Sequence, residues 1–314
     1  MSPKSIITGG AGFIGSALAR ELLSNGEDRV GIVDNLNSGK LSNLEAVKDQ
    51  VETHLVDIRN YDELLRIFAG ADTVYHLAAI PSVPRSIKDP VPSHDVNING
   101  TFNVYRAAQN AGVRRVVYAA SSSAYGDTEV LPKTESMAPR PKSPYALQKL
   151  VGEYYGSVFS SCYGVESVSL RFFNVYGPRQ DPSSPYSGVL SLFMKAALTR
   201  QAPVIFGDGE QSRDFTYVED VATLVRKAAK AEEASGKVYN AGNGGRYSLN
   251  FLWDEVQKLE GITLPASYGP PRDGDVQDSQ ADTSAAIRDL GHSPRFSIEE
   301  GLRKTLEWYR AEHA

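Results

Sequence analysis

Sulfur is scarce in this chain: of 314 residues one is cysteine, Cys162, and three are methionine. A lone cysteine excludes an internal disulfide and leaves too few ligands for a zinc cluster, which fits a reducing compartment and predicts a cytoplasmic protein. An excess of positive charge is missing too. Lys and Arg number 33 against 38 Asp and Glu, so the net charge of −5 argues against nonspecific nucleic-acid or anionic-membrane binding as the main activity. No apolar run reaches the ~18 residues of a membrane span. The opening "SIITGGAGFIGSALA" imitates a signal-peptide core, but its glycines are regularly spaced and Arg20 and Glu21 continue an amphipathic helix. What remains is ordinary globular composition, 41% hydrophobic and 23% charged, in a length that suits one large domain or two smaller ones.

Short apolar strands alternate with helical patterns from the start. Strands are predicted at 4–8, 29–33, 51–56, 72–78, 113–121 and 165–173, and helices at 12–25, 41–48, 60–69, 89–111 and 143–162. Such alternation gives a parallel sheet covered on both faces, with ligands at the carboxyl ends of its strands. After about residue 175 the texture changes. "VYGPRQDPSSPYSG" (175–188) reads as a loop, helices recur near 187–200, 218–232, 248–259, 282–290 and 297–311, and short strands run through 203–207 and 237–242. The expected fold is therefore α/β: a Rossmann-like, doubly wound parallel sheet with a smaller C-terminal α/β substrate lobe. Residues 1–174 form the cofactor domain, segments near 213–245 return to it, and 175–314 form mainly the second lobe. Long loops at 126–144 and 265–280 are candidates for function.

"TGGAGFIGS" (8–16) places Gly9, Gly12 and Gly15 three apart, after a predicted strand and at the start of a helix. In that context the glycines permit a tight turn and close approach to a pyrophosphate, and the helix N-terminus supplies N–H donors. Asp34, nineteen residues past Gly15, ends the second strand. Its carboxylate suits a ribose diol and would repel a 2′-phosphate, so NAD is preferred over NADP. Asp57 ends the third strand and is placed to reach the adenine.

"SPYALQK" (143–149) sets Tyr145 and Lys149 at i and i+4, on one helix face. An unperturbed phenol has a pKa of about 10 and is a poor base at neutral pH. The lysine ammonium, together with an oxidised nicotinamide, would favour the phenolate and make it a general base. "SSSAYG" (121–126) adds hydroxyls at a strand end, and Asn174 follows the next strand.

With "TGGAGFIG", "DI", "HLAA", "SSSAYG", "YALQK", "RFFNVYGPRQ" and "SRDFTYVEDVA" in order over nearly its whole length, the chain resembles the extended short-chain dehydrogenase/reductase family, in its nucleotide-sugar epimerase and dehydratase branch. The resemblance implies NAD as cofactor and a sugar nucleotide oxidised at C4, with Tyr145 and Lys149 catalytic and Ser121, then Ser122, as the hydroxyl on O4. It implies further cofactor contacts from Phe13 and Ile14 in the glycine loop and from Asn35, Asn37, Ser38 and Gly39 beyond Asp34. Ile58, the run Leu77, Ala78 and Ala79, then Asn97 and Phe173 complete that set.

Dehydratases of this branch carry an Asp-Glu pair beside the strand-end hydroxyl, decarboxylases of UDP-glucuronate a glutamate, and reductive epimerases a Cys/His pair with NADPH. "SSSAYG" has no carboxylate, and Asp34 opposes NADP, which leaves 4-epimerisation. On the substrate side the resemblance implies Ser82, Ser122, Ser123 and Asn174 near the sugar or diphosphate, Arg213 and Arg272 on the diphosphate, and Asp275 on the uridine ribose. Ser279 walls the pocket beside the C2 substituent, where a small residue admits an N-acetyl group. UDP-glucose and UDP-N-acetylglucosamine are thus the expected substrates, with no metal required. UDP-glucuronate 4-epimerisation and net sugar-nucleotide oxidoreduction stay open as alternatives, and a non-enzymatic NAD-sensing module is a third reading. Family members pair two helices per subunit into a four-helix bundle, so a homodimer is expected through 89–111 and 143–162.

Overall fold

A computed structural model describes residues 4–183, 188–271 and 276–313. The strands of its first half are β1 (Lys4–Thr8), β2 (Val30–Asp34), β3 (Val51–Leu55), β4 (Ala71–His76), β5 (Arg115–Ser121) and β6 (Glu166–Phe172). Shorter ones follow: β7 (Asn174–Tyr176), β8 (Val204–Phe206), β9 (Ser212–Arg213), β10 (Phe215–Tyr217), β11 (Lys237–Ala241), β12 (Tyr247–Ser248) and β13 (Ser267–Gly269). Seven of them form one parallel sheet in the order β11-β6-β5-β4-β1-β2-β3. The inner strands are largely buried because both faces are covered; β2 is buried at all five positions. The β3 edge is short and carries Glu52 and His54, which discourages pairing with another chain.

The helices are α1 (Phe13–Ser24), α2 (Tyr61–Phe68), α3 (Val83–Lys88), α4 (Pro90–His94), α5 (Thr101–Ala111), α6 (Pro144–Tyr163), α7 (Val189–Thr199), α8 (Val218–Lys230), α9 (Leu249–Glu260), α10 (Ser284–Leu290) and α11 (Ile298–His313). Leu18, Leu22, Val221 and Val225 of α1 and α8 cover one sheet face, and Leu64, Phe68, Val104 and Phe159 of α2, α5 and α6 cover the other. A separate core around Phe193, Trp253, Leu302 and Tyr309 joins α7, α9 and α11. This is the Rossmann-like α/β architecture. The sheet order reverses between β1 and β4, and the carboxyl ends of those strands open a cleft.

Some elements differ from their expected form. The helical run at 89–111 is three pieces, α4, a π-helical turn at Asp95–Gly100, and α5. Helix α3 was not expected. Ser82 caps it by accepting from the Arg85 N–H at 3.1 Å, and its Ser86 Oγ accepts from the Tyr145 N–H at 3.1 Å, so it anchors the start of α6. The strands β7, β9, β10, β12 and β13 are two or three residues long, too short to carry a periodic signal.

Candidate active site

The cleft at the strand ends has a volume of about 1110 Å³. That exceeds the roughly 300–1,000 Å³ typical of a site for one small ligand. At one end it is floored by the glycine loop. Gly9 has φ +72°, and a Cβ there would lie 2.7 Å from the Ala78 nitrogen; a Cβ on Gly15 would lie 2.1 Å from the Gly9 carbonyl oxygen. The loop is thus packed to contact, and only hydrogen fits. Helix α1 starts after Gly12 with no side-chain cap, which leaves its first N–H groups to face the cleft. These features fit a dinucleotide pyrophosphate. Phe13, Ile14, Leu77, Ala78 and Ala79 line the same end, as do Asn35, Asn37, Ser38 and Ile58.

Asp34 is 8% exposed. Its oxygens accept from the Ala11 N–H at 3.0 Å and the Leu36 N–H at 2.8 Å. Burial pushes its carboxyl up, and the two N–H groups hold it partly back. Each oxygen keeps a lone pair for a ribose hydroxyl. Gly39 does not line the cleft; a Cβ on it would come within 2.8 Å of Asp34, so it makes room for the carboxylate. Asp57 is held at about 2 by the Arg59 guanidinium fork, and Asn35 Nδ2 donates to it at 2.7 Å.

The hydroxyl cluster sits where β5 ends. Ser121 Oγ accepts from the Ser123 N–H at 3.2 Å and from Ser123 Oγ at 2.8 Å, and it lines the cleft together with Tyr145. Ser143 caps α6 by accepting from the Ala146 N–H at 3.2 Å, which fixes Tyr145 in the first turn, next to Ser121. Tyr145, Lys149, Ser121, Ser122 and Ser123 all line the cleft. The Lys149 ammonium is nearly buried and lies 4.8 Å from the centre of the Tyr118 ring. Burial pushes the Tyr145 phenol up, and the Ser121 hydroxyl only partly offsets this. Burial also lowers Lys149, to about 7. Desolvation favours the neutral form of both groups.

At the opposite wall are Asn174 on β7, Arg213 on β9, and Ser279. The Asn174 amide donates to the Asp214 carbonyl at 3.0 Å, and the Ser279 N–H to the Ser212 carbonyl at 3.0 Å. Arg213 donates to the carbonyls of Ser212 and Gln277, each at 2.9 Å. Phe173 and Ser82 line the cleft as well. Arg272 and Asp275 lie outside the described residues. Asn97 is buried behind the wall: its side chain bonds Ile80 through both N–H and carbonyl and donates to Gln148 at 3.0 Å. It shapes the segment after β4 and does not face the cleft.

Several basic residues of the cleft had no assignment from sequence. Lys40 pairs with Asp181 at 3.0 Å across the mouth, Lys133 donates to the Thr128 carbonyl, and Arg179, with φ +71°, is half-buried. Arg179 stands in "GPRQ", inside one of the motifs that carry the resemblance. Nothing in the local sequence around Lys40 or Lys133 marks either one.

Residues 5–242 match the model of the NAD dependent epimerase/dehydratase family. A UDP-glucose 4-epimerase of Mycolicibacterium smegmatis is 38% identical over 313 residues, covering 98% of each chain. Among solved structures, a UDP-N-acetylglucosamine 4-epimerase from Methanobrevibacter ruminantium in complex with UDP-N-acetylmuramic acid is 36% identical, with a TM-score of 0.94 over 99% of this chain and 100% of that one. A UDP-glucose 4-epimerase of Thermus thermophilus in complex with NAD is 35% identical, with a TM-score of 0.89 over 98% of this chain and 99% of that one.

Proposed function

The chain belongs to the NAD-dependent epimerase/dehydratase family, of the extended short-chain dehydrogenase/reductase type, and on that premise we propose that it is a UDP-hexose 4-epimerase with Tyr145 as its base. The observation that carries this reading is Tyr145 and a nearly buried Lys149 one turn apart on α6, lining with Ser121 a cleft that has a dinucleotide loop at one end. Ser121 holds the sugar O4 hydroxyl, with Ser122 beside it, and Tyr145 takes the O4 proton. Lys149 steadies the resulting phenolate. NAD, when bound, supplies the hydride acceptor for C4 and gives the hydride back, and its positive ring adds the charge that favours the phenolate. The 4-keto sugar turns over within the cleft before Tyr145 returns the proton.

Residues 1–174, with the returning stretch near 213–245, hold the cofactor, and 175–314 hold mainly the nucleotide sugar. Arg213 and Arg272 take the diphosphate, Asn174 the diphosphate or sugar, and Asp275 the uridine ribose; a guanidinium suits a phosphate because it is always charged and binds bidentately. Among the described residues the acids lining the cleft are Asp34, Asp57 and Asp181. The first two stand at strand ends on the dinucleotide side and the third pairs with Lys40. No carboxylate stands in the Ser121–Gly126 stretch, so elimination of water lacks an acid and a base there. Ser279 leaves space for an N-acetyl group at C2, and UDP-glucose and UDP-N-acetylglucosamine are both accepted.

The test is incubation of purified protein with UDP-glucose, UDP-N-acetylglucosamine and UDP-glucuronate separately, with and without added NAD⁺. Epimers at C4 are expected from the first two, without cofactor consumption. Stoichiometric NADH would instead identify a net oxidoreductase, and turnover of UDP-glucuronate alone would identify the carboxylate-bearing sugar. Leu147, Tyr154 and Val158 form an exposed apolar stripe along α6 at 50%, 57% and 47% exposure, with Phe102 of α5 exposed by 39%. This stripe supports a homodimer built as a four-helix bundle of α5 and α6.

A further inference from the structure

Helix α6 carries a third ionisable group in register with the first two: Tyr145, Lys149 and Glu153 follow one another at intervals of four. Glu153 is 4% exposed and accepts from Arg171 on β6 through a fork, Nε at 2.9 Å and Nη2 at 2.8 Å. Arg171 is 3% exposed, and its guanidinium lies 4.5 Å from the centre of the Tyr125 ring. The Tyr125 hydroxyl in turn donates to Asn240 Oδ1 on β11 at 2.6 Å. A buried ion pair is a poor way to gain stability, because desolvation of two charges offsets their attraction. This one is not even fully satisfied, since Arg171 Nη1 has no hydrogen-bond partner. Such a pair invites a role other than stability.

The surroundings of Lys149 supply one. From β5 the Tyr118 ring faces it, and from β4 His76 does. Burial pushes the Tyr118 phenol up and His76 down to about 3, so both are uncharged at neutral pH. On its own helix stand Tyr145 and Glu153. Glu153 is faced by Arg171, by Tyr118 and by Tyr105 of α5, whose phenol is also pushed up. Of these groups Glu153 alone is an anion, and it alone raises the Lys149 ammonium against its burial.

Resting on the reading of Tyr145 as base, we propose that Glu153 is a positioning residue: fixed by Arg171, its carboxylate keeps Lys149 protonated through the pH range in which the phenolate must be held. Arg171 and Tyr125 act one step further out, by fixing the carboxylate. Sequence offered Glu153 no role, because its partner Arg171 comes from a separate element, β6.

Two variants test this, Glu153→Gln and the double variant Glu153→Gln/Arg171→Met, which leaves no unpaired buried charge. The first readout is the titration of Lys149 in ¹³C-lysine-labelled protein, assigned by the signal lost in Lys149→Met. The second is the pH profile of kcat. In both variants Lys149 is expected to titrate about one pH unit lower, so that the ammonium fraction above its midpoint falls about tenfold. The alkaline limb of kcat moves to lower pH with it, while KM for the sugar nucleotide changes little. The double variant regains thermal stability but not the limb. The proposal is overturned if Lys149 titrates as in the wild type in the double variant, or if that variant recovers the wild-type profile along with its stability. The lysine titration is independent of turnover. A wild-type protein that epimerises nothing would refute the reading of Tyr145 while leaving the titration to decide on Glu153.

Discussion

Burial acts on the Tyr145 phenol and the Lys149 ammonium in opposite directions, up for the first and down to about 7 for the second, and both shifts favour the uncharged forms. A phenolate in this cleft is thus favoured by added positive charge, and the oxidised nicotinamide supplies it under the proposed mechanism. Tyr145→Phe keeps the ring and removes the hydroxyl. It is expected to lower kcat by roughly 10²–10⁴-fold, the usual worth of a general base, with the melting temperature little changed. Activity close to wild type in that variant would remove Tyr145 from the mechanism. His76 gives a prediction on stability. Its ring nitrogens bond the Thr8 and Thr101 hydroxyls at 2.8 and 3.0 Å, and burial holds its pKa at about 3, below the ordinary 6.5. The unfolded chain takes up a proton that the folded chain refuses. The contribution is thus whole above pH 6.5 and is lost as pH falls from there toward 3, by an upper bound of roughly 4–5 kcal/mol. His76→Gln retains hydrogen-bonding groups without this titration, so its melting temperature should fall less steeply between pH 7 and pH 4 than that of the wild type, even if it starts lower.

At the scale of the element, the glycine loop and α6 are positioned by different means. The loop depends on missing atoms. Gly15→Ala would set a Cβ 2.1 Å from the Gly9 carbonyl oxygen, and because the clash is with backbone, the loop itself must move. The expected result is loss of bound NAD, read from the absorbance ratio of the purified protein and by titration with NAD⁺, with the parallel sheet intact by circular dichroism. Helix α6 depends on its cap and on α3, through Ser143 and Ser86. It starts at Pro144, one residue inside the expected 143–162, with Ser143 as its cap and proline in its first turn. The role of α3 was not legible in the sequence, because a six-residue helix gives too few turns for a periodic pattern.

For the whole molecule, the exposed stripe of Leu147, Tyr154 and Val158 sets the expectation for assembly. Val158→Glu combined with Leu147→Glu places two charges in the proposed bundle seam. Light scattering should then report the mass of one chain where the wild type gives two, with the active-site residues untouched. A wild type that is already monomeric would end the bundle proposal. Two elements of the stretch near 213–245 pack on the first half of the chain: α8 on α1, and β11 pairs with β6 at the sheet edge.

The order of strands and helices, the glycine loop with Asp34, and the Tyr145–Lys149 spacing were set by neighbours within a few residues, where side-chain size, periodicity and glycine spacing act directly, and a sequence displays these. Which groups met from afar was decided only on folding. Asn97 turned behind the cleft wall, Ser82 became a helix cap, and Glu153 of α6 met Arg171 of β6. Protonation was decided there as well, because desolvation depends on every atom packed around a group, and those atoms come from β4, β5, β6, α5 and α6 together.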